Sequence, residues 1–266
     1  MSSKESTPFE SAEEYYAEHR PDYADEIFDY LQRRFDLNES ARVLDLGCGA
    51  GQLTIPLAAR AGEVVGMDPN EEMLRQARER VSAADSASED DIRWVAGSDV
   101  DLHDEMGPFR LTTMGRAFHW MDQESTLEQL RRITESGGGV ALVTDSEWLT
   151  KGTEDWQSEV YDLVAEYLDD VPERTGPAEY DDPWDELLET FEFEDVEHRQ
   201  FAFAREWTID GVVGYVFSLS FCSPATFGDD VEAFEAALRS RLHELDALDA
   251  ASFRQTGNVD VISGRA

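Results

Sequence analysis

The run Arg42-Val43-Leu44-Asp45-Leu46 passes directly into Gly47-Cys48-Gly49-Ala50-Gly51 and then into the helix-prone segment GQLTIPLAARA. Three glycines at alternate positions after a buried, β-rich run restrict what the chain can fold into. The strand must leave the sheet through backbone conformations that a Cβ disfavours, and a helix must take over at once. A strand–turn–helix unit of this kind belongs to an open α/β sheet, whose ligands bind at the carboxyl ends of the strands.

The same rhythm continues to Asp145. VVGMD at 64–68 reads as a second strand, IRWVAGS at 92–98 as a third, FRLTTMG at 109–115 as a fourth and GVALVTD at 139–145 as a fifth. Between them, Asn70 is placed to cap a helix whose Met73, Leu74, Ala77 and Val81 share one face. Leu127, Leu130 and Ile133 mark another helix, with Gly137-Gly138-Gly139 expected to close it. The fold class expected is α/β, Rossmann-like and doubly wound, with a mostly parallel seven-stranded sheet.

Beyond Asp145 the pattern becomes more helical. Trp156, Val160, Leu163, Val164, Tyr167 and Leu168 give one amphipathic helix, and Pro183 is placed to start another carrying Trp184, Leu187 and Leu188. HRQFAFA at 198–204 returns to strand character, 209–219 and 231–245 read as helices, and VDVISGR at 259–265 as a last edge strand. This gives an N-terminal helical cap over 1–40 and a main domain over 41–266, with a helical lid inserted at about 146–195 and 205–250. The polar stretch SAADSASEDD at 82–91 reads as a solvated loop.

Charge narrows the function. Fifty-nine Asp and Glu against 22 Lys and Arg leave −37, and the only lysines are Lys4 and Lys151. Like charge on this scale opposes the compact state unless salt screens it, so a salt-rich cytoplasm is expected. Nucleic-acid binding needs a positive face, and no basic run supplies one. No apolar run is long enough to span a bilayer, and the opening residues are too acidic and polar for a signal peptide. A cytoplasmic protein without membrane or nucleic-acid partners is the expectation. Cys48 and Cys222 are too few for a disulfide framework, and the histidines show no metal-ligand spacing.

Asp45 before the glycines and Asp68 at the end of the second strand place two carboxylates beside the turn. A dinucleotide fold has the same acid after its second strand but needs G-x-G-x-x-G, and position 52 is Gln. Asp45 also opposes a pyrophosphate and favours an ammonium group. The turn therefore suits a nucleoside with a cationic amino-acid tail better than a nicotinamide dinucleotide.

On these residues the chain resembles the class I S-adenosylmethionine-dependent methyltransferases, specifically the small-molecule "type 11" branch that includes trans-aconitate-methyltransferase-like proteins. VLDLGCGAGQLT is similar to the family's glycine-rich first motif, VVGMDPNEEML to its second, AGSDVDL to the segment after the third strand, and MGRAFHWMD to the segment after the fourth. YYAEHRPDY is similar to an N-terminal element of the branch. The pattern departs at Leu102-His103, where the family has Leu-Pro, and at Arg110, where it has Asp.

The resemblance implies S-adenosylmethionine as cofactor and a small-molecule acceptor. It implies cofactor contacts from Asp45, Gly47, Gly49 and Gln52, ribose binding by Asp68 beside Pro69, and an adenine border of Ser98, Asp99 and Val100. Arg116 and Ala117 join this set, and Tyr16 and Arg20 are expected near the cofactor's carboxylate. His119 and Trp120 fall where the acceptor is expected. His119 serves either as a general base or as a cap of the next helix, with Trp120 packing nearby. The methyl-donating sulfonium needs no covalent activation, only an acceptor held in line and shielded from water. Three alternatives stay open: a regulatory protein that binds the cofactor without turnover, an RNA or protein methyltransferase, and a nicotinamide-dependent oxidoreductase.

Overall fold

The computed structural model describes residues 11–83, 91–145, 147–174, 183–247 and 253–266. Most of the expected 82–91 loop lies outside them. Seven strands form one sheet: β1 (Arg42–Leu46), β2 (Glu63–Asp68), β3 (Ile92–Ala96), β4 (Phe109–Gly115), β5 (Thr134–Asp145), β6 (Glu194–Glu206) and β7 (Arg254–Arg265). Their order is β3-β2-β1-β4-β5-β7-β6. β1 pairs in parallel with β2 and β4, β2 with β3, and β4 with β5, whereas β5 and β7 are antiparallel. The α/β, mostly parallel architecture expected from the sequence is the one found.

β1 lies between β2 and β4, so the chain winds outward in one direction to β3 and then returns to β4 on the other side. That reversal opens a crevice at the carboxyl ends of β1 and β4, where such sheets bind ligands. The register sets Val43, Leu44 and Asp45 against Leu111, Thr112 and Thr113.

The described residues divide into two compact units. The sheet unit holds 22–83, 91–145, 183–201 and 258–266. Its core gathers Leu44, Leu46, Val65, Met67, Met114, Phe118 and Leu142 among others. The helical unit holds 11–21, 147–174, 202–247 and 253–257, around Trp148, Val160, Val164, Val216, Phe217, Phe234 and Leu238.

The helices, in chain order, are α1 (Glu13–His19), α2 (Asp25–Phe35), α3 (Thr54–Ala58), α4 (Glu71–Ala83), α5 (Gln123–Ile133), α6 (Trp148–Lys151), α7 (Asp155–Tyr167), α8 (Trp184–Thr190), α9 (Ile209–Phe217), α10 (Pro224–Phe227) and α11 (Val231–Ala247). α4 begins where Asn70 accepts from the backbone N–H groups of Glu72 and Met73, and it buries Met73, Leu74, Ala77 and Val81.

Four expectations change. The C-terminal strand is interior, between β5 and β6, and the sheet edge is β6. Its residues from Val259 to Gly264 are all buried, so both faces of this part of the strand are covered. The helix after the glycine turn is only five residues long, because the chain first spends Gly47 to Leu53 on turns. The triple glycine does not close α5, since Thr134 already turns extended and begins β5. Gly139 lies inside that strand, where a Cβ would collide with the Gly264 carbonyl oxygen. Finally, α8 buries Trp184 and Leu188 in the core of the sheet unit rather than among the inserted helices.

Candidate functional site

At the end of β1 the chain turns back along β2: the N–H groups of Gly47 and Cys48 both donate to the Met67 carbonyl, at 2.8 and 3.0 Å. Gly47, Gly49 and Gly51 have φ of 72°, 52° and 84°, the left-handed region that residues with a Cβ enter at a cost. At Gly47 close approach adds to this, because a Cβ would stand 2.5 Å from that of Ala117.

Two buried carboxylates flank the turn. Asp68, at the end of β2, accepts from the Gly49 N–H at 2.8 Å through one oxygen and from the Asn70 N–H at 2.9 Å through the other. Burial pushes its pKa up against the pull of those two donors. Asp45 is 1% exposed and accepts from the hydroxyls of Thr54 at 2.5 Å and Thr113 at 2.8 Å. Burial, reinforced by the negative charge of Asp68, outweighs these hydroxyls and raises its pKa to about 6.

Sequence reasoning missed Thr54 and Thr113. The signal was present, since each is a polar residue inside a run otherwise fit for burial. Cys48 is buried, and desolvation holds its thiol well above the ordinary value, which makes it a filler of the turn rather than a nucleophile. Gln52 is 5% exposed, and its amide nitrogen has no hydrogen-bond partner among the described residues. A buried donor left without an acceptor is costly, and a bound polar ligand is one way to supply it.

The neighbouring strand ends complete the crevice. After β3, the Ser98 N–H donates to Asp101, and Asp99 accepts from the Asp122 N–H at 3.3 Å and the Thr126 hydroxyl at 3.4 Å. Val100 stands 82% exposed between them, and Pro69 is exposed beside Asp68.

After β4, Arg116 pairs with Asp145, Ala117 packs on Gly47, and a short 3-10 turn carries Phe118, His119 and Trp120. Phe118 is buried, whereas His119 and Trp120 face outward, Trp120 being 56% exposed. The cap of α5 is Asp122, which accepts from the Ser125 N–H, so His119 does not fill that role.

Thirteen of the expected site residues thus stand on strand ends and loops of the sheet unit. Tyr16 and Arg20 belong to the helical unit, where the Arg20 guanidinium lies over the rings of Tyr16 and Tyr215 and donates weakly to the Ser218 carbonyl at 3.4 Å.

Comparison with known proteins gives the same direction. Residues 43–138 match the family model described as "Methyltransferase domain". An uncharacterised methyltransferase of Schizosaccharomyces pombe is 26% identical over 196 residues, 73% of this chain and 71% of that protein. The trans-aconitate 2-methyltransferase of Azoarcus is 32% identical over 115 residues, 42% of each chain. In fold, the chain is similar to a SAM-dependent methyltransferase of Thiobacillus denitrificans solved with S-adenosyl-L-homocysteine. The TM-score is 0.55 at 16% identity, covering 98% of both chains. A glycine turn between two acids at the reversal of a 3-2-1-4-5-7-6 sheet, together with the methyltransferase domain matched over residues 43–138 and these relatives, supports a class I S-adenosylmethionine-dependent methyltransferase.

Proposed function

We propose that the protein methylates a small-molecule acceptor in a salt-rich cytoplasm, and that the crevice at the ends of β1 and β4 is where it does so. The observation that carries this reading is the left-handed turn Gly47–Gly51 between buried Asp45 and Asp68. When bound, S-adenosylmethionine supplies an electrophilic methyl on a sulfonium.

The glycines let its backbone-facing side approach closely. Asp68 keeps lone pairs for the two ribose hydroxyls while the Gly49 and Asn70 amides fix its orientation. Asp45, held by Thr54 and Thr113, puts negative charge beneath the turn and favours the ammonium end, and Gln52 offers its unpaired amide to the same tail. Ser98, Asp99 and Val100 border the adenine, with Arg116 and Ala117 shaping the opposite wall.

Tyr16 and Arg20 keep the carboxylate role that the family resemblance gives them. His119 and Trp120 face the acceptor. If the acceptor atom is a phenol, an amine or a carbon acid, His119 takes its proton, whereas a carboxylate needs positioning alone. The acid-coated surface supports a small molecule over nucleic acid as the acceptor.

The test is calorimetry in 2 M potassium chloride with S-adenosylhomocysteine and with a nicotinamide dinucleotide, followed by labelled-methyl transfer into a metabolite extract. Heat with the first ligand alone and a labelled product are expected. Asp68→Ala should weaken cofactor binding by about 1–3 kcal/mol, the worth of hydrogen bonds to a charged group. Unchanged affinity would remove Asp68 from the ribose site, and binding without any labelled product would favour the regulatory reading.

A further inference from the structure

β4 ends at Gly115, and the next residue, Arg116, has φ of 52°. An arginine held left-handed where glycine would be relaxed is a local cost that the fold must over-determine. Three contacts do so. The Arg116 N–H donates to the Val143 carbonyl of β5 at 2.9 Å. Its guanidinium forks onto Asp145 at the end of β5, with Nε donating to Oδ1 and Nη2 to Oδ2, the latter at 2.7 Å. Its Cζ lies 4.8 Å from the centre of the Tyr23 ring. Both charged side chains are nearly withdrawn from water, 12% and 9% exposed.

What this lock fixes lies on the neighbouring strand end. Gly47 is embraced by the residues on either side of the Phe118–Trp120 turn: a Cβ on it would stand 2.5 Å from Ala117 Cβ and 3.4 Å from Met121 Cε. The turn closes on itself, Trp120 N–H donating to the Ala117 carbonyl at 2.9 Å and Met121 N–H to that of Phe118 at 3.2 Å. Phe118 is anchored inward, edge-on to Trp184 at 5.5 Å. His119 and Trp120 are the side chains of the turn that face outward.

We propose that Arg116 and Asp145 are positioning residues, whose paired side chains hold the left-handed exit from β4 and so seat the His119–Trp120 turn on the glycine turn of the cofactor site. This rests on the reading of that site given above. The pair touches neither reacting atom. It couples occupancy at Gly47 to the orientation of Trp120, through Ala117 and Met121.

The test uses the full chain in 2 M potassium chloride, with S-adenosylhomocysteine as probe. The readout is acrylamide quenching of Trp120, isolated as the difference between each protein and the same protein carrying Trp120→Phe. In the parent chain the probe should reduce Trp120 quenching. In Asp145→Asn and Arg116→Gly, quenching should rise at least twofold and lose its response to the probe, and in Asp145→Asn, which lies outside the cofactor contacts, affinity for the probe should stay within about threefold. Arg116→Lys, which keeps the charge but not the fork, should recover part of the response.

A Trp120 signal unchanged in all three variants would overturn the proposal. So would a signal lost only in step with a lower unfolding midpoint, which is what a purely structural ion pair predicts. If the parent chain did not bind the probe at all, the site reading would fall. The ligand-free difference in Trp120 quenching would then decide the positioning claim alone.

Discussion

Asp45 is buried and hydrogen-bonded to two hydroxyls. Its pKa rises from 3.8 to about 6 on folding, so the folded state binds its proton more tightly than the unfolded chain does. The stability this proton contributes is therefore fully present below pH 3.8 and is lost as the pH rises through about 6. Above that pH the buried charge costs about 3 kcal/mol, since each tenfold change in proton affinity is worth about 1.4 kcal/mol. Asp45→Asn removes the charge and keeps the shape. In urea denaturation at pH 8 without cofactor, it should stabilise the protein by about 1–3 kcal/mol, with the gain vanishing near pH 4, and it should weaken binding of S-adenosylhomocysteine. A variant less stable than the parent at pH 8 would show that the two threonines already compensate the charge. At this scale the glycines and both acids were legible in the sequence, because a strand, its turn and the next strand end are local. The threonines carried only the signal of a polar residue in a buried run; that Thr113 meets Asp45 depends on the register of β1 with β4. The fork between Arg116 and Asp145 was hidden for the same reason, as it depends on how β4 and β5 align.

Elements whose patterns are local were read nearly to the residue. β2 and β4 begin and end within a residue of the expected bounds, and α4 starts at its expected cap. That cap carries a prediction of its own. Asn70 satisfies two of the orphan N–H groups at the start of α4, and its own N–H orients Asp68. Asn70→Ala should cost about 1 kcal/mol in urea denaturation, the usual worth of such a cap. It should leave affinity for S-adenosylhomocysteine nearly unchanged, because the backbone donor to Asp68 survives. A large loss of affinity without loss of stability would mean that the side chain itself reaches the ligand. Of the elements misread, the last strand and α8 are defined by partners distant in sequence. The alternation of 259–265 identifies a strand but not its neighbours. That β6 lies outside it is seen only in the strand order of the folded sheet. Pro183 announces a helix, yet nothing in Trp184, Leu187 and Leu188 says which core they enter.

For the whole molecule the dominant quantity is charge. Many arginines are paired: Arg42 with Glu63, Arg80 with Asp22, Arg239 with Asp210 and Glu235, Arg241 with Glu159. Exposed pairs of this kind are worth at most about 1 kcal/mol each, and salt weakens them. Salt also screens the repulsion among the acids, so two effects of opposite sign compete. The composition decides between them. Even if each of the 22 Lys and Arg took one carboxylate, 37 of the 59 would remain without a cation. At 0.1 M salt the Debye length of about 10 Å lets neighbouring acids on the surface repel, and near 1 M it falls to about 3 Å, shorter than most of their separations. Screening of repulsion therefore outweighs loss of ion pairs. The urea midpoint should rise between 0.1 M and 2 M potassium chloride, with most of the gain reached by about 1 M, where screening is nearly complete. A midpoint that stays level or falls would mean that the arginine pairs carry more of the fold than the surplus acids oppose, and the expectation of a salt-rich cytoplasm would lose its physical basis.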